Sequence, residues 1–211
     1  MSNHAPSNST SIHHVGIIGA GAIGQAMAKQ LVKAGLDVTL SNSRGPESLA
    51  SVIETLGPKA RAGTTREAAT ADLVFLSVNW EHVKSALSGL PSWDGRIVID
   101  ATNPVVHPGF KLAELGGRNS SEVLTDLLPG ARLVKAFNTL LAAVLAKDPG
   151  EAGGKRIVFV SGDEASAKST VMELIDRLGF ASIDLGSLAV GGTLQQFPGG
   201  PLPAVNLIKL N

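Results

Sequence analysis

Short apolar runs alternate with amphipathic segments along most of the chain. The runs are rich in β-branched residues, which predicts buried strands, whereas the segments between them space their apolar residues three or four positions apart, as in a helix. Strands are predicted at residues 12–18, 37–41, 73–77, 96–100, 132–135, 157–161 and 181–184. Helices are predicted at residues 22–34, 80–88, 120–128, 140–146 and 164–178. This alternation is typical of an α/β fold with a doubly wound, mostly parallel sheet.

The two ends of the chain differ from this pattern. Residues 1–11 are mostly polar and lack an apolar core, which indicates a disordered tail rather than a signal peptide. Residues 187–211 are rich in Gly and Pro before an apolar end, so we expect that they cannot continue a regular sheet and that they form a small C-terminal cap. The alternatives are a surface strap or the arm of a homodimer. Residues 12–186 would then form one α/β domain.

The composition narrows the classes of partner and location. Of the 211 residues, 44% are hydrophobic, which allows a sizeable core. The 18 basic residues balance 18 acidic ones and no basic run stands out, which disfavours a nucleic-acid partner. No stretch reaches the roughly 18 apolar residues of a membrane span, so we expect no membrane partner. The absence of cysteine excludes disulfides and thiolate chemistry and fits a cytoplasmic location.

A glycine-rich run, Gly19-Ala20-Gly21-Ala22-Ile23-Gly24, lies between the first predicted strand and the first predicted helix. In that setting Gly19 permits a tight turn, Gly21 lets the backbone approach a pyrophosphate, and Gly24 lets the helix pack closely on the strand. Free amides at the start of the helix would face the anion. The alternative to a dinucleotide site is that these small residues only allow the helix to pack tightly on the strand.

Ser43 and Arg44 follow the second predicted strand, where a dinucleotide-binding domain recognises the ribose of adenosine. An acidic residue at this place accepts a hydrogen bond from a free 2′-hydroxyl and indicates NAD. A hydroxyl and a planar cation suit a 2′-phosphate instead, so the pair favours NADP. The alternative is a solvated turn with an exposed arginine.

Loops that follow three predicted strands, at residues 77–82, 100–104 and 135–139, contain polar side chains where ligands of an open parallel sheet bind. Asn79 could contact a ligand or cap the next helix. His82 could reach a cofactor phosphate or ribose, or be merely exposed.

The other two loops offer the same choice between a ligand and a structural role. Asn103 could contact a ligand or only form a turn with Pro104. Lys135 and Asn138 could surround a nicotinamide or make buried structural hydrogen bonds.

The residues that are missing favour a simple reaction. The sequence has no tyrosine, no Ser-His-Asp elbow and no histidine pair at metal spacing, so we expect no metal site and no catalytic acid or base. Hydride transfer between two bound cofactors fits, because it depends mainly on holding two rings face to face. Asn138 is then a candidate contact rather than a catalytic group.

Five segments together resemble the NADP-dependent oxidoreductases of the deazaflavin coenzyme F(420), to which the cytosolic reductase domain of six-transmembrane metalloreductases is also similar. The segments are Gly19 to Gly24, Asn42-Ser43-Arg44-Gly45-Pro46, Trp80-Glu81-His82, Asp100-Ala101-Thr102-Asn103-Pro104 and Lys135-Ala136-Phe137-Asn138-Thr139. The resemblance runs from Ile12 to the C-terminus.

The resemblance implies a Rossmann-type domain with a small C-terminal cap, and hydride transfer between NADP(H) and a deazaflavin or flavin acceptor. It implies that residues 20–23 hold the pyrophosphate and that Ser43 and Arg44 hold the 2′-phosphate. The residues implied along the nicotinamide half are Val78, His82, Asn103 and Ala142, and the same loops add Asn79, Ala136 and Asn138 as cofactor-binding candidates. The tail from Gly191 would border the second ring.

The sequence departs from the family pattern at two positions, and both bear on the acceptor. Asn79 occupies the position of a proline, and Asn138 that of a histidine beside the reacting rings. The partner expected is therefore a small-molecule or cofactor electron acceptor of open identity. The alternatives are a redox sensor that binds NADP(H) without turnover, and a reductase of imines or 3-hydroxy acids, which normally needs a long helical second domain.

Overall fold

The computed structural model describes residues 12–151 and 153–210. The predicted disordered tail at residues 1–11 lies outside the described residues. The strands are β1 (His14–Ile18), β2 (Asp37–Ser41), β3 (Ala60–Ala62), β4 (Leu73–Leu76), β5 (Ile97–Asp100), β6 (Val105–Val106), β7 (Lys111–Leu112), β8 (Arg132–Ala136), β9 (Gly150–Glu151), β10 (Gly154–Gly162), β11 (Ala181–Asp184) and β12 (Ile208–Leu210).

The helices are α1 (Ala22–Lys33), α2 (Ala50–Leu56), α3 (Thr65–Ala68), α4 (Trp80–Leu87), α5 (Ser120–Leu127), α6 (Ala142–Leu145), α7 (Ala165–Arg177) and α8 (Thr193–Gln195). A 3-10 helix at Pro46–Leu49 precedes α2, and a π-helical segment at Leu188–Gly192 precedes α8.

The main sheet has the strand order β3-β2-β1-β4-β5-β8-β10-β11. Its neighbours are parallel except β8 and β10, which are antiparallel. From β1 the chain builds one side of the sheet through β2 and β3, then returns to place β4 on the other side of β1. This reversal creates a crevice at the carboxyl ends of β1 and β4, where ligands of such sheets bind. The doubly wound, mostly parallel α/β fold is thereby confirmed.

Helices cover both faces of the sheet, so the strands are apolar on both sides. Because side chains alternate along a strand, Ile17 packs with Met27 and Leu31 of α1 on one face, whereas Ile18 belongs to the core on the other face. Leu124 of α5 lies in that second core. The packing of both faces holds the carboxyl ends of the strands in fixed positions.

The predicted C-terminal boundary of the sheet is wrong. β12 at Ile208–Leu210 pairs antiparallel with the first residues of β10, although we expected that the tail could not continue the sheet. The reason is the length of β10. Its residues 157–160 pair with β11, and residues 154–156 extend beyond that strand, so their backbone groups are free to pair with the end of the chain. The division of the chain at residue 186 stays a prediction.

Several short elements were not predicted, namely β3, α2, α3 and the hairpin of β6 and β7. They are too short to show a clear period in the sequence. The bounds of the predicted helices shifted by at most two residues, as expected at frayed ends. Within the described residues, no helix combines the length and apolar character needed to cross a membrane.

Candidate functional site

A cleft of about 720 Å³ opens at the carboxyl ends of β1, β2 and β4. We call it the switch-point cleft. Its volume is in the usual range of a small-molecule site. The described residues that line it are Ile18, Gly19, Ala20, Gly21, Asn42, Ser43, Arg44, Thr65, Ser77, Val78, Asn79, His82, Ser85, Ala86, Ser88 and Leu90. They include no carboxylate, so the charge contributed by Arg44 is not balanced within the cleft.

The glycine-rich turn forms the floor of the cleft. Gly19 has φ +111°, a conformation that side chains rarely adopt, and a Cβ there would crowd the carbonyl of Ser77. The hydroxyl of Ser77 donates a hydrogen bond to the Gly19 carbonyl oxygen at 3.0 Å. A Cβ at Gly24 would overlap that same carbonyl oxygen. Close packing of α1 on the turn therefore requires glycine at position 24.

Gly21 differs from these two glycines because a Cβ there would meet nothing within 4 Å. It is the N-cap residue of α1, and no side chain caps the helix at this end. The first amides of α1 are therefore available to an anion, which the positive end of the helix dipole also favours. The open space over Gly21 is where a pyrophosphate would approach.

A pair of substitutions separates the two glycine roles. Gly24→Ala should lower the free energy of unfolding by about 1–3 kcal/mol, because the added methyl group overlaps a backbone oxygen. Gly21→Ala should keep the stability of the protein but weaken NADPH binding, because its methyl group occupies the space over the helix start. Urea unfolding and NADPH titration measure the two effects. Equal loss of stability in both variants would contradict this assignment.

The turn after β2 presents Ser43 and Arg44, both exposed, to the cleft. Asn42 organises this turn. Its Oδ1 accepts a hydrogen bond from the Arg44 backbone N–H at 2.9 Å, and its Nδ2 donates to the Ser48 hydroxyl at 2.9 Å. Ser48 in turn donates to the Gly45 carbonyl oxygen at 2.7 Å. Among the described residues, the Arg44 guanidinium makes no ion pair, so it is available to bind a phosphate.

Asn42 and Thr65 were not predicted as site residues. The spacing of Asn42 from Arg44 is that of an Asx turn, a signal that is visible in the sequence. Thr65 comes from α3, which was not predicted, and its approach to the cleft depends on the packing of that helix.

The wall opposite Arg44 is formed by α4 and the loop before it. Asn79 occupies the N-cap position of α4, but its side chain makes no capping hydrogen bond, so the capping alternative is not supported. Asn79 and His82 are exposed and line the cleft, together with half-buried Val78. These three predicted residues therefore share one surface with Arg44.

The remaining candidates lie at the ends of β5 and β8, outside the lining of the cleft. Asn103 and Asn138 are brought together, with Asn138 Nδ2 donating to Asn103 Oδ1 at 2.9 Å. Ala136 has no exposed surface and Asn138 is 6% exposed, so direct cofactor contact through these two side chains is not supported. Ala142, the first residue of α6, is half-buried. Of the residues in the glycine run, Ala22 and Ile23 begin α1 behind the turn.

Lys135 has a structural role. Its ammonium group is fully buried and lies 2.9 Å from Asp100 Oδ2, and it also donates to the Thr102 carbonyl oxygen at 3.1 Å. Burial acts to raise the pKa of Asp100, but the charge of Lys135 and the hydroxyls of Thr102 and Ser121 hold that pKa below its ordinary value. The pair links the loop after β5 to β8.

Comparison with known proteins agrees with this geometry. Residues 14–104 match the family model described as NADP oxidoreductase, coenzyme F420-dependent. A protein from Arthrobacter sp. FB24, named as an F420-dependent NADP reductase, is 28% identical, with 84% of this chain and 86% of that chain covered and a TM-score of 0.72. Over residues 14–104 the chain is similar to the coenzyme F420-dependent NADP oxidoreductases.

Two further relatives show how far the similarity extends. The hypothetical protein SMa0349 from Sinorhizobium meliloti is 46% identical, and the alignment covers 96% of this chain and 98% of that chain with a TM-score of 0.89. The metalloreductase STEAP3 from Rattus norvegicus is 32% identical over 90% of this chain. The chain spans 37% of the length of that metalloreductase.

The match to this family model supports binding of NADP(H) by the chain. The segment that matches the F420-dependent family model contains the glycine-rich turn, the turn with Ser43 and Arg44, and the wall with His82. It ends after Asn103, before Asn138 and Ala142. The family model therefore covers the switch-point cleft and leaves out the loop after β8 and the C-terminal segment.

Proposed function

We propose that the protein transfers a hydride between NADP(H) and a flat redox ring, a deazaflavin or a flavin. The observation that carries the NADP(H) half of the proposal is the exposed Arg44 guanidinium beside Ser43. It makes no ion pair with the residues that the structure describes, and it lines the same cleft as the uncapped start of α1. One end of this cleft suits a 2′-phosphate, and its floor suits a pyrophosphate.

The residues of the cleft bind and orient rather than exchange protons. When bound, NADPH would supply a hydride from carbon 4 of its nicotinamide to the acceptor ring, and the proton that completes the reduction would come from solvent. The chain has to hold the dinucleotide so that the nicotinamide lies beyond the ends of β4 and β5. The absence of carboxylates from the described lining fits a reaction whose rate depends on the approach of two rings.

The acceptor is supported by the description of the family model and by the name of the Arthrobacter relative, both of which name F420. Apolar side chains are exposed near the ends of β8 and α8, among them Leu141 at 62% and Phe197 at 40%. A flat aromatic ring could bury such surface on binding.

The decisive experiment mixes the purified protein with NADPH and the oxidised deazaflavin coenzyme and follows the loss of the visible absorbance of the deazaflavin. NADH in place of NADPH, and FMN in place of the deazaflavin, are run in parallel. We expect NADPH-specific bleaching of one of the two acceptors. NADPH binding without reduction of either ring would refute the proposal and favour a redox sensor, and equal rates with NADH would refute the role of Arg44.

A further inference from the structure

Three segments that are distant in the sequence meet beside the expected nicotinamide end of the site. They are the loop after β5, the loop after β8 and the C-terminal segment around α8. Asn103 Nδ2 donates to the Asn138 carbonyl oxygen at 2.8 Å, and Asn138 Nδ2 donates both to Asn103 Oδ1 at 2.9 Å and to the Gln195 carbonyl oxygen at 2.7 Å. Asn138 therefore bridges the other two segments.

Gln195 fastens the C-terminal segment to the sheet. Its side chain is fully buried, and its Oε1 accepts a hydrogen bond from the Ser161 hydroxyl at 2.7 Å. Its Nε2 donates to the Phe159 carbonyl oxygen at 3.1 Å and to Asn138 Oδ1 at 3.3 Å. Both side-chain amides are thus held by buried partners, which leaves them little freedom to change position.

The backbone just before Asn138 is strained. Phe137 has φ +66°, which is unfavourable for a bulky residue, and its ring is fully buried in edge contacts with Phe75 and Phe180. Strain of this kind persists where the surrounding structure enforces it, often beside a functional site. Here the packed ring fixes the direction in which the chain carries Asn138.

Asn103 is the least buried of the three side-chain amides. Its Oδ1 accepts from Asn138 Nδ2 and, at 3.2 Å, from the backbone N–H of Phe197. One Nδ2 hydrogen is used by the Asn138 carbonyl group. Within the part of the chain that the structure describes, the second Nδ2 hydrogen has no acceptor, and Asn103 is half-buried. The carboxamide is held from one side and keeps one donor for a ligand.

We propose that Asn138 is a positioning residue that, with Gln195 and the Phe197 backbone, fixes the Asn103 carboxamide so that its remaining N–H binds the nicotinamide carboxamide of NADP(H). This inference rests on the NADP(H) part of the proposed function. It makes residues 195–197 part of the binding site, although they are some ninety residues from Asn103 in the chain. A purely structural network would instead support the fold without affecting the nicotinamide.

Asn138→Ala tests this role with two ligands. The variant should bind NADPH about tenfold more weakly, the effect of one lost hydrogen bond, and it should lose the increase in nicotinamide fluorescence that accompanies immobilisation of the ring. Binding of 2′,5′-ADP, which lacks the nicotinamide, should stay within about twofold of the parent value. Equal weakening of both ligands, or no change in either, would overturn the proposal.

A double-mutant cycle tests whether Asn138 acts through Asn103. If it does, Asn103→Ala should weaken NADPH binding to a similar extent. The double variant Asn103→Ala/Asn138→Ala should then bind NADPH only slightly more weakly than Asn103→Ala. Additive losses would overturn the positioning role. Gln30→Ala is the matched control, because Gln30 is another buried amide that binds two backbone carbonyl groups, of Leu145 and Lys147, at the far side of α1. It should lower stability and leave the binding of both ligands unchanged.

The binding assay keeps this inference separate from the proposed function. A parent protein that binds NADPH but reduces no ring would refute the acceptor and leave the test intact, whereas a parent protein that does not bind NADPH would refute the proposed function. If Asn138→Ala does not fold, Asn138→Ser is measured in the same way. Serine keeps one donor but is too short to bridge Asn103 and Gln195, so the same difference between the two ligands is expected.

Discussion

Lys135→Met is expected to lower the free energy of unfolding by about 3–5 kcal/mol at neutral pH, because it leaves the Asp100 carboxylate buried without its counter-charge. Both side chains of the pair have no exposed surface. The carboxylate keeps its hydrogen bonds from Thr102 and Ser121, which compensate for only part of the lost attraction. Urea unfolding of the two proteins measures the difference.

The pH dependence should distinguish this mechanism from a simple loss of packing. In the parent protein the pKa of Asp100 lies below its ordinary value of 3.8, so its contribution to stability is complete above that value and is lost as the pH falls through the lower folded-state pKa. In Lys135→Met, burial without a cation should raise the pKa of Asp100. The folded variant then gains a proton on acidification, and its deficit should shrink between about pH 7 and pH 5.

Lys33→Met is the matched control for the buried pair. Lys33 and Asp148 form an ion pair at 2.9 Å, but their side chains are 61% and 68% exposed, so the loss of this pair should have little effect on stability. A deficit in Lys135→Met that is small, or one that stays constant as the pH falls, would show that Asp100 is not destabilised by an uncompensated charge.

Arg44→Ala should weaken NADPH binding by about 1.5–3 kcal/mol, or roughly 10- to 150-fold, because it removes a charge-assisted hydrogen bond to the 2′-phosphate. Binding of NADH should change little, since NADH carries a hydroxyl group there. The expected result follows from the geometry of the turn, in which Asn42 holds the backbone and leaves the Arg44 guanidinium exposed without an ion pair among the described residues. Titrations with the two dinucleotides measure the ratio.

Arg61→Ala is the matched control, because it removes the same positive charge at a position outside the cleft. Arg61 is an exposed arginine of β3 that lies outside the lining of the cleft and sits 3.9 Å from Glu67. Its loss should leave the preference for NADPH intact, apart from a small general effect of charge that added salt removes. If Arg44→Ala weakened the binding of NADPH and of NADH equally, the 2′-phosphate would not be the group that Arg44 recognises.

The parts of the site that follow local rules were predictable from the sequence. A turn that connects a strand to a helix requires glycine where φ is positive and where a Cβ would overlap a backbone oxygen, and Gly19 and Gly24 meet these two requirements. The same holds for β2, which begins and ends at the predicted residues, and for the turn with Ser43 and Arg44 directly after it. These features depend on neighbours within a few residues, so they can be predicted from the local sequence.

The roles of the polar residues after β5 and β8 depended on partners far along the chain. Lys135 and Asn138 look alike in the sequence, as polar residues beside apolar ones, yet one is neutralised by Asp100 and the other bridges Asn103 and Gln195. Packing also brought the end of the chain onto β10 as a strand, against expectation. The burial of a polar side chain and its hydrogen-bond partners depend on which segments meet in the folded protein. Hydrophobic periodicity indicates only which face of a segment is buried. Local chemistry therefore predicted the fold class and the two turns that line the switch-point cleft, whereas long-range packing determined which polar groups remain available to a ligand.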